Sequence, residues 1–130
     1  MFDNNVFIKG SCHKVKENNE TIGFELATNI TYYRGIPLSM LEYIHVYVND
    51  KEVSQESIRI SLEKKDWFTL KEAETVTTYK WEYGDPLYIR VLQDGGLPKG
   101  EQKVKLIIAT RTAYIPVPLE GVREETVTIA

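Results

Sequence analysis

The stretch "LYIRVL", residues 87–92, places Leu87, Ile89 and Val91 on one side of an extended chain and Tyr88 and Arg90 on the other. Successive side chains of a strand point to opposite faces. The alternation therefore predicts a β-strand with one face on a core and the other facing water or a partner. The same period recurs in "TIGFELAT" (21–28), "YIHVYV" (43–48), "SIRISL" (57–62) and "KVKLIIATRTAY" (103–114), and more weakly in "VFIKGSC" (6–12) and "ETVTIA" (125–130).

Residues typical of turns separate these strands. "KENNE" (16–20) joins the first two strands, and "NDKE" (49–52) carries Asn and Asp, which tolerate left-handed backbone. The segment "DGGLPKGE" (94–101) holds three glycines and is predicted to be a longer hairpin loop. "TLKEAET" (69–75) predicts one short helical turn, because its Thr and Glu have capping-box spacing.

Together these patterns predict an all-β fold. About seven to nine strands, with turns roughly every ten residues, are typical of an antiparallel β-sandwich of immunoglobulin or jelly-roll type. The length of 130 residues fits a single domain covering 1–130. The net charge of −3 offers no basic surface for nucleic acid or for an anionic membrane.

Composition also suggests where the protein works. Cys12 is the single cysteine, so an internal disulfide is impossible and a reducing cytoplasm is expected. The start "MFDNNVFIKG" lacks the basic and apolar regions of a signal peptide. No apolar run approaches the ~20 residues that span a bilayer. We therefore expect a cytoplasmic protein without a membrane segment.

The sequence offers few residues for catalysis. His13 and His45 have no partner at metal-ligand spacing, so both are interpreted as strand or surface histidines. Cys12 adjoins His13, but neighbours on a strand point to opposite faces and are poorly placed as nucleophile and base. A structural thiol is the preferred interpretation. No catalytic residue and no metal ligand is predicted in this chain.

Three clusters combine aromatic residues with proline, in segments that we interpret as loops. They are "YYRGIP" (32–37), "WEYGDP" (81–86) and "TAYIPVPL" (112–119). Tyr, Trp and Arg are the residue types that dominate binding hot spots, and proline lowers the ordering cost of an exposed loop. Each cluster has an alternative interpretation. Trp81 could be a core aromatic, Tyr114 an internal strand residue, and the first cluster a packed crossover loop.

Four segments resemble one protein family when taken in order. "YYRGIPLS" (32–39), "WEYGDP" (81–86), "GGLPKGEQKV" (95–104) and "RTAYIPVPL" (111–119) resemble the small, or beta, subunit of bacterial C-glycoside deglycosidases. The resemblance runs from Phe2 to Ile129. It departs from the family pattern at Gln102, where the glycine-rich segment often continues with histidine.

The resemblance implies a β-rich subunit that associates with a larger alpha subunit. That alpha subunit is similar to sugar-isomerase TIM barrels and holds a divalent metal, usually manganese. The assembled enzyme acts as a lyase on a 3-oxo-C-glycoside, and the metal ligands and the base belong to the alpha subunit. On this basis we expect the partner interface to include Tyr32, Tyr33, Arg34, Gly35, Pro37, Trp81, Tyr114 and Pro116.

Other functions stay open at this point. A stand-alone carbohydrate-binding β-sandwich would stack its tyrosines and Trp81 on sugar rings. A small self-sufficient hydrolase would need a nucleophile and a base that the sequence does not reveal. A scaffold for a different barrel enzyme is a further alternative.

Overall fold

The computed structural model describes residues 7–8, 10–29, 36–62, 66–75, 80–81, 86–93, 100–112 and 115–129. These residues form three antiparallel sheets and one short α-helix. The first five strands are β1 (His13–Glu17), β2 (Glu20–Thr28), β3 (Ile36–Pro37), β4 (Leu41–Val48) and β5 (Lys51–Glu52). They are followed by β6 (Ile58–Ser61), β7 (Phe68–Thr69), α1 (Leu70–Ala73), β8 (Lys80–Trp81), β9 (Leu87–Leu92), β10 (Gly100–Thr112) and β11 (Ile115–Ile129).

Two large sheets enclose the core and confirm the predicted β-sandwich. One sheet has the strand order β1-β2-β9-β6-β7, and the other has the order β11-β10-β4-β5. A small ribbon pairs β3 with β8. The alternation of β9 is confirmed, because Leu87, Ile89 and Val91 are buried while Tyr88 and Arg90 are half-buried on the opposite face. Equivalent inward positions complete the core, including Phe24, Leu26, Ile44, Val46, Ile58, Ile60, Val104, Leu106 and Ile108.

Two asparagine-bearing turns are confirmed. Asn18 and Asn19 have φ values of 51° and 67° between β1 and β2, and Asn49 and Asp50 have φ values of 50° and 69° between β4 and β5. Two consecutive residues with positive φ make the primed turn that matches strand twist in a tight hairpin. Asn and Asp tolerate this backbone at lower cost than most residues.

The predicted helical turn is also confirmed. Thr69 Oγ1 accepts a hydrogen bond of 3.0 Å from the Glu72 N–H, and Glu72 Oε1 accepts one of 2.8 Å from the Thr69 N–H. This reciprocal pair is a capping box. The backbone hydrogen bond from Thr69 lowers the pKa of the Glu72 carboxyl. Ala73 anchors the helix in the core.

Strand β2 departs from the simple alternation. Its residues are buried from Gly23 to Thr28, so Glu25 and Ala27 are covered although they point away from the core. A Cβ added at Gly23 would lie 1.9 Å from the carbonyl oxygen of Val91. Glycine is therefore required where β2 meets the end of β9.

The predicted hairpin at 94–101 is wrong. β9 belongs to the five-stranded sheet and β10 to the four-stranded sheet, so the connection crosses from one sheet to the other. Residues 94–99 themselves lie outside the described residues. Glycine and proline signal a change of direction, but they do not specify which strands pair.

The predicted strand at 6–12 is wrong, whereas the one at 125–130 is confirmed, since β11 runs to Ile129. "VFIKGSC" does not form a strand over its described residues, since β1 begins at His13. The part of the third aromatic and proline cluster at 115–119 is not a loop, because β11 runs without interruption from Ile115 to Ile129 and contains Pro116 and Pro118. β11 is an edge strand, where proline is tolerated because one side of its backbone has no ladder partner to satisfy. No helix in the described ranges is long and apolar enough to cross a membrane.

Candidate functional site

Most of the predicted interface residues lie outside the described residues, namely Tyr32, Tyr33, Arg34, Gly35 and Tyr114. The described backbone at 36–37, 80–81 and 115–116 lies towards the same end of the sandwich. Pro37 of β3 pairs with Lys80 of β8, which joins the first cluster to the second. β4 begins at Leu41, opposite Thr110, while β10 and β11 continue past that point to the Thr112–Ile115 pair.

Trp81 has a side chain that is completely buried in the core. A side chain with no accessible surface makes no direct contact with another molecule. The core interpretation therefore fits Trp81, and the interface role does not. Burial of this aromatic also anchors the β3–β8 ribbon to the sandwich, because Trp81 pairs with Ile36.

The outer face of the four-stranded sheet carries a second candidate surface. Three rows of side chains run across β4, β10 and β11, and the central row is His45, Ile107 and Val122. We call this surface the tyrosine face; it consists of Tyr43, His45, Tyr47, Lys105, Ile107, Ala109, Glu120, Val122 and Glu124. The spacing of Tyr43, His45 and Tyr47 in "YIHVYV" signals one aromatic side of β4. The apolar neighbours on β10 and β11 become apparent only from the strand register.

Polar contacts hold the aromatic rings of this face in place. The Tyr43 hydroxyl donates a hydrogen bond to the Glu120 carboxylate, and this bond is the main reason that the pKa of Tyr43 is raised to about 12. The Tyr43 ring centroid lies 5.2 Å from that of His45. Lys105 Nζ lies 4.6 Å from the centroid of Tyr47, within cation–π distance.

His45 is oriented from the neighbouring hairpin. Its Nδ1 lies 2.8 Å from Glu52 Oε2. The Gln55 side-chain amide supports this pair by donating to Glu52 Oε2 at 3.2 Å and to the Ile44 carbonyl at 2.8 Å. The hydrogen bond with His45 is the largest cause of the lowered pKa of Glu52. These contacts fix the imidazole ring on the tyrosine face.

The middle row of side chains on the outer face of the five-stranded sheet is charged instead. One cross-strand row contains His13, Glu25, Arg90, Arg59 and Thr69. The Glu25 side chain is only 3% exposed, and its Oε1 lies 3.1 Å from Arg90 Nη2. His13 Nε2 lies 3.6 Å from Glu25 Oε2.

Trp67 completes the surroundings of Arg90. The Arg90 guanidinium carbon lies 4.1 Å from the centroid of the Trp67 ring, while the buried Arg90 Nε finds no acceptor among the described residues. An ion pair clamped beneath an aromatic ring is the arrangement of a structural link between strands. We interpret it as support for the sheet.

The described residues provide little for catalysis. Burial raises the pKa of the Cys12 thiol to about 12, so this cysteine is a poor nucleophile at neutral pH. His13 Nδ1 donates to the Ser11 carbonyl at 2.8 Å. Within the described ranges, no three His, Cys, Asp or Glu side chains lie together where they could hold a metal ion.

Gln102, the position that departs from the family pattern, has a structural contact. It is buried, and its Oε1 accepts a hydrogen bond of 2.7 Å from Asn49 Nδ2. Asn49 Oδ1 in turn accepts a hydrogen bond of 3.0 Å from the Lys103 N–H. The residue therefore ties the β4–β5 turn to β10, and this role does not require a histidine.

A groove of about 560 Å³ lies at the end of the sandwich opposite the proline clusters. Its walls come from the β4–β5 turn and the end of β9, and include Val48, Lys51, Val53, Val91, Leu92 and Gln93. Leu92, at 37% exposure, is a large exposed hydrophobic side chain among the described residues. The groove is wide open and holds no cluster of catalytic groups.

Comparison with known proteins identifies the family to which this chain belongs. A family model described as "C-glycoside deglycosidase beta subunit" matches residues 2–114. One relative is the C-glycoside deglycosidase beta subunit of Eubacterium cellulosolvens, which is 24% identical over 99 residues. That alignment covers 76% of this chain and 67% of the relative. Since the family match spans most of the β-sandwich described above, the chain belongs to the C-glycoside deglycosidase beta subunit family.

Proposed function

We propose that this chain is the noncatalytic beta subunit of a C-glycoside deglycosidase and that it supports a larger TIM-barrel alpha subunit. The observation that carries the proposal is the family match over residues 2–114. Partial burial raises the pKa of the Cys12 thiol, which makes this cysteine a poor nucleophile at neutral pH.

The reaction that we propose for the complex is the cleavage of a 3-oxo-C-glycoside by β-elimination. A C–C glycosidic bond has no leaving oxygen to protonate, but the ketone at sugar C3 makes the C2 proton acidic. A base removes that proton, and its electron pair forms the C1–C2 double bond as the C1–aglycone bond breaks. The aglycone carbon leaves with the bonding electrons and takes up a proton. The products are the free aglycone and an unsaturated anhydro-keto sugar.

The base and the metal belong to the alpha subunit in this proposal. A divalent cation there, manganese by analogy with the family, would stabilise the negative charge on the enolate oxygen. The described part of this chain has no group of side chains that fits such a cation. Its contribution is to present a rigid surface to the alpha subunit. We also propose a cytoplasmic location, since the single cysteine requires no oxidising compartment.

A stand-alone carbohydrate-binding module is the main alternative. That function would use exposed aromatic rings to stack on sugars, with Trp81 among them. The burial of Trp81 removes this residue from such a site. Tyr43 and Tyr47 are half-buried on the outer face of β4, so a direct binding experiment is needed to separate the two functions.

The deciding experiment is co-expression with a TIM-barrel protein of the alpha-subunit type. The purified complex is assayed for release of aglycone from a 3-oxo-C-glucoside, with each protein alone as a control. We expect aglycone release only from the complex. We also expect no heat of binding when the isolated chain is titrated with C-glucosides. Failure of the two proteins to associate, or sugar binding by the isolated chain, would contradict the proposal.

A further inference from the structure

We propose that the tyrosine face is the surface on which the larger subunit docks. This inference rests on the proposed function and adds the location of the interface and the chemistry of the partner surface. It differs from the expectation drawn from the aromatic and proline clusters, because β4 lies outside all three of them.

The contrast between the two outer faces carries the first step. A charged row crosses the middle of the outer face of the five-stranded sheet, where Arg90 Nη2 pairs with Glu25. The central row of the tyrosine face instead contains Ile107 and Val122, both half-buried, beside His45. The solvated face of an antiparallel sheet is normally polar. Aliphatic side chains in the middle of this face indicate a surface that is covered in the assembled protein.

The arrangement around these aliphatic residues matches that of a binding hot spot. Tyr43 and Tyr47 flank the central row, and the exposed carboxylates of Glu120 and Glu124 lie at its edge on β11. Interfaces commonly have an apolar and aromatic centre with a polar rim. The tyrosine rings are already held by Glu120 and by Lys105. Little side-chain freedom is therefore lost when a partner docks.

Charge identifies the occupant as a different protein rather than a second copy. Glu120 and Glu124 lie at the β11 edge of the tyrosine face and Glu52 lies beside Tyr47 at the opposite edge, whereas Lys105 lies on the middle strand β10 and the exposed Lys103 follows it in the next row. Two copies packed face to face would bring carboxylate rims together. The face fits a partner that places an apolar side chain on Ile107 and arginine or lysine side chains opposite the glutamates.

The size of the face points to a larger contact that continues along the sheet. Three strands and about five residues per strand cover roughly 250 Å², whereas a standard interface buries about 800 Å² on each partner. β10 and β11 extend beyond the start of β4 as far as Thr112 and Ile115. That extension leads from the Tyr43 row to the end of the sandwich where Pro37 and Pro116 lie. A partner seated on the tyrosine face therefore reaches the proline clusters.

The first test is oxidative footprinting of the wild-type chain, free and in complex with the co-expressed alpha subunit. We expect Tyr43 and Tyr47 to be oxidised several-fold more slowly in the complex. Tyr88, which is half-buried on the outer face of the five-stranded sheet, is the matched control and should keep its rate. Protection of Tyr88 without protection of Tyr43 and Tyr47 would overturn the inference.

The second test compares two aliphatic-to-lysine changes on different faces. Ile107→Lys should weaken binding to the alpha subunit by roughly 30-fold, the loss expected for a central hot-spot residue. Leu92→Lys, in the groove at the end of β9, should change binding by less than about twofold. The thermal unfolding of each variant shows whether the sandwich is intact. If Ile107→Lys fails to fold, the footprint of the wild-type chain decides.

A third measurement tests the charge argument. Glu120→Lys and Glu124→Lys should slow association with the alpha subunit, and the effect should shrink as salt is added. Unchanged binding by Ile107→Lys in a complex that still forms would overturn the docking face and leave the proposed function intact. Loss of a homodimer in that variant would identify a second copy as the occupant and would also overturn the inference. Absence of any complex with the wild-type chain would refute both.

Discussion

Gly23 lies directly beneath the carbonyl of Val91, at a distance where a β-carbon would approach the oxygen to 1.9 Å. This contact joins the middle of β2 to the end of β9, two strands at the centre of the five-stranded sheet. The obstacle is backbone, so it does not move aside like a side chain. Any residue larger than glycine forces the two strands apart.

Gly23→Ala is therefore expected to lower the free energy of unfolding by about 3 kcal/mol, measured by urea denaturation. Gly10→Ala is a control of the same chemistry. Gly10 has a φ of 79° but nothing near the added carbon, so its cost should stay near 1 kcal/mol. Equal losses for the two variants would contradict the close approach of β2 and β9.

Arg90→Met should destabilise the protein by about 3 kcal/mol, because the buried Glu25 carboxylate loses its arginine partner. Arg123→Met provides a comparison, since Arg123 Nε lies 2.8 Å from Glu125 Oε1 but both side chains are more accessible than Glu25. That change should cost less than about 1 kcal/mol. Chemical denaturation measures both effects. Similar costs for the two variants would show that Glu25 is not the buried member of a structural pair.

Glu120→Gln should lower the pKa of Tyr43 from about 12 towards its ordinary value of 10.0, because the hydrogen bond to the carboxylate is the main cause of the rise. The tyrosinate absorbance during an alkaline titration measures this change. Glu124→Gln is the control, since Glu124 lies on the same face, one row beyond Val122. This change should leave the pKa of Tyr43 at about 12.

The direction in which pH changes the stability of the fold follows from the charge of tyrosine. Tyr43 is neutral when protonated, and its folded-state pKa lies above that of the unfolded chain. Its contribution to stability is thus complete below pH 10 and is lost as pH rises through about 12. A wild-type titration in which no tyrosine is delayed relative to the Glu120→Gln variant would refute the hydrogen bond.

The combined variant Tyr33→Ala and Arg34→Ala tests the interface predicted from the first aromatic cluster. We expect its affinity for the alpha subunit to fall about tenfold or more, while the isolated chain keeps its circular dichroism spectrum. Co-purification from co-expressing cells measures the loss. Glu17→Ala, at an exposed position of β1 in the other sheet, serves as the control. Full retention of the alpha subunit by the double variant would count against this cluster.

Local signals account for the parts of the fold that could be predicted. The alternation of Leu87, Ile89 and Val91 identifies β9, and Thr69 and Glu72 identify the capped turn. Both depend on residues close in sequence. Pairing of β9 with β6 and β2, rather than with β10, depends on contacts between distant residues. Glycine and proline in the segment between β9 and β10 carry no information about that choice.

The candidate site, too, can be predicted from local sequence signals only in part, because the rest depends on contacts between distant residues. The aromatic side of β4 can be read from "YIHVYV", but its meaning depends on Ile107 and Val122, which reach it only through the register of β10 and β11. The sequence around Trp81 fits an interface residue and a core residue equally well, and burial decides for the core. A tryptophan beside tyrosine and proline has the same composition in either setting.

The hydrogen bond between Asn49 and Gln102 joins residues 53 positions apart. At roughly 5–20 residues per second, a ribosome needs about 3–10 s to add the stretch between them. During that interval the nascent β4 has only the two residues of β5 to pair with, since β10 is not yet synthesised. Its isoleucine and tyrosine side chains stay open to chaperones, or to aggregation, until β10 has been added.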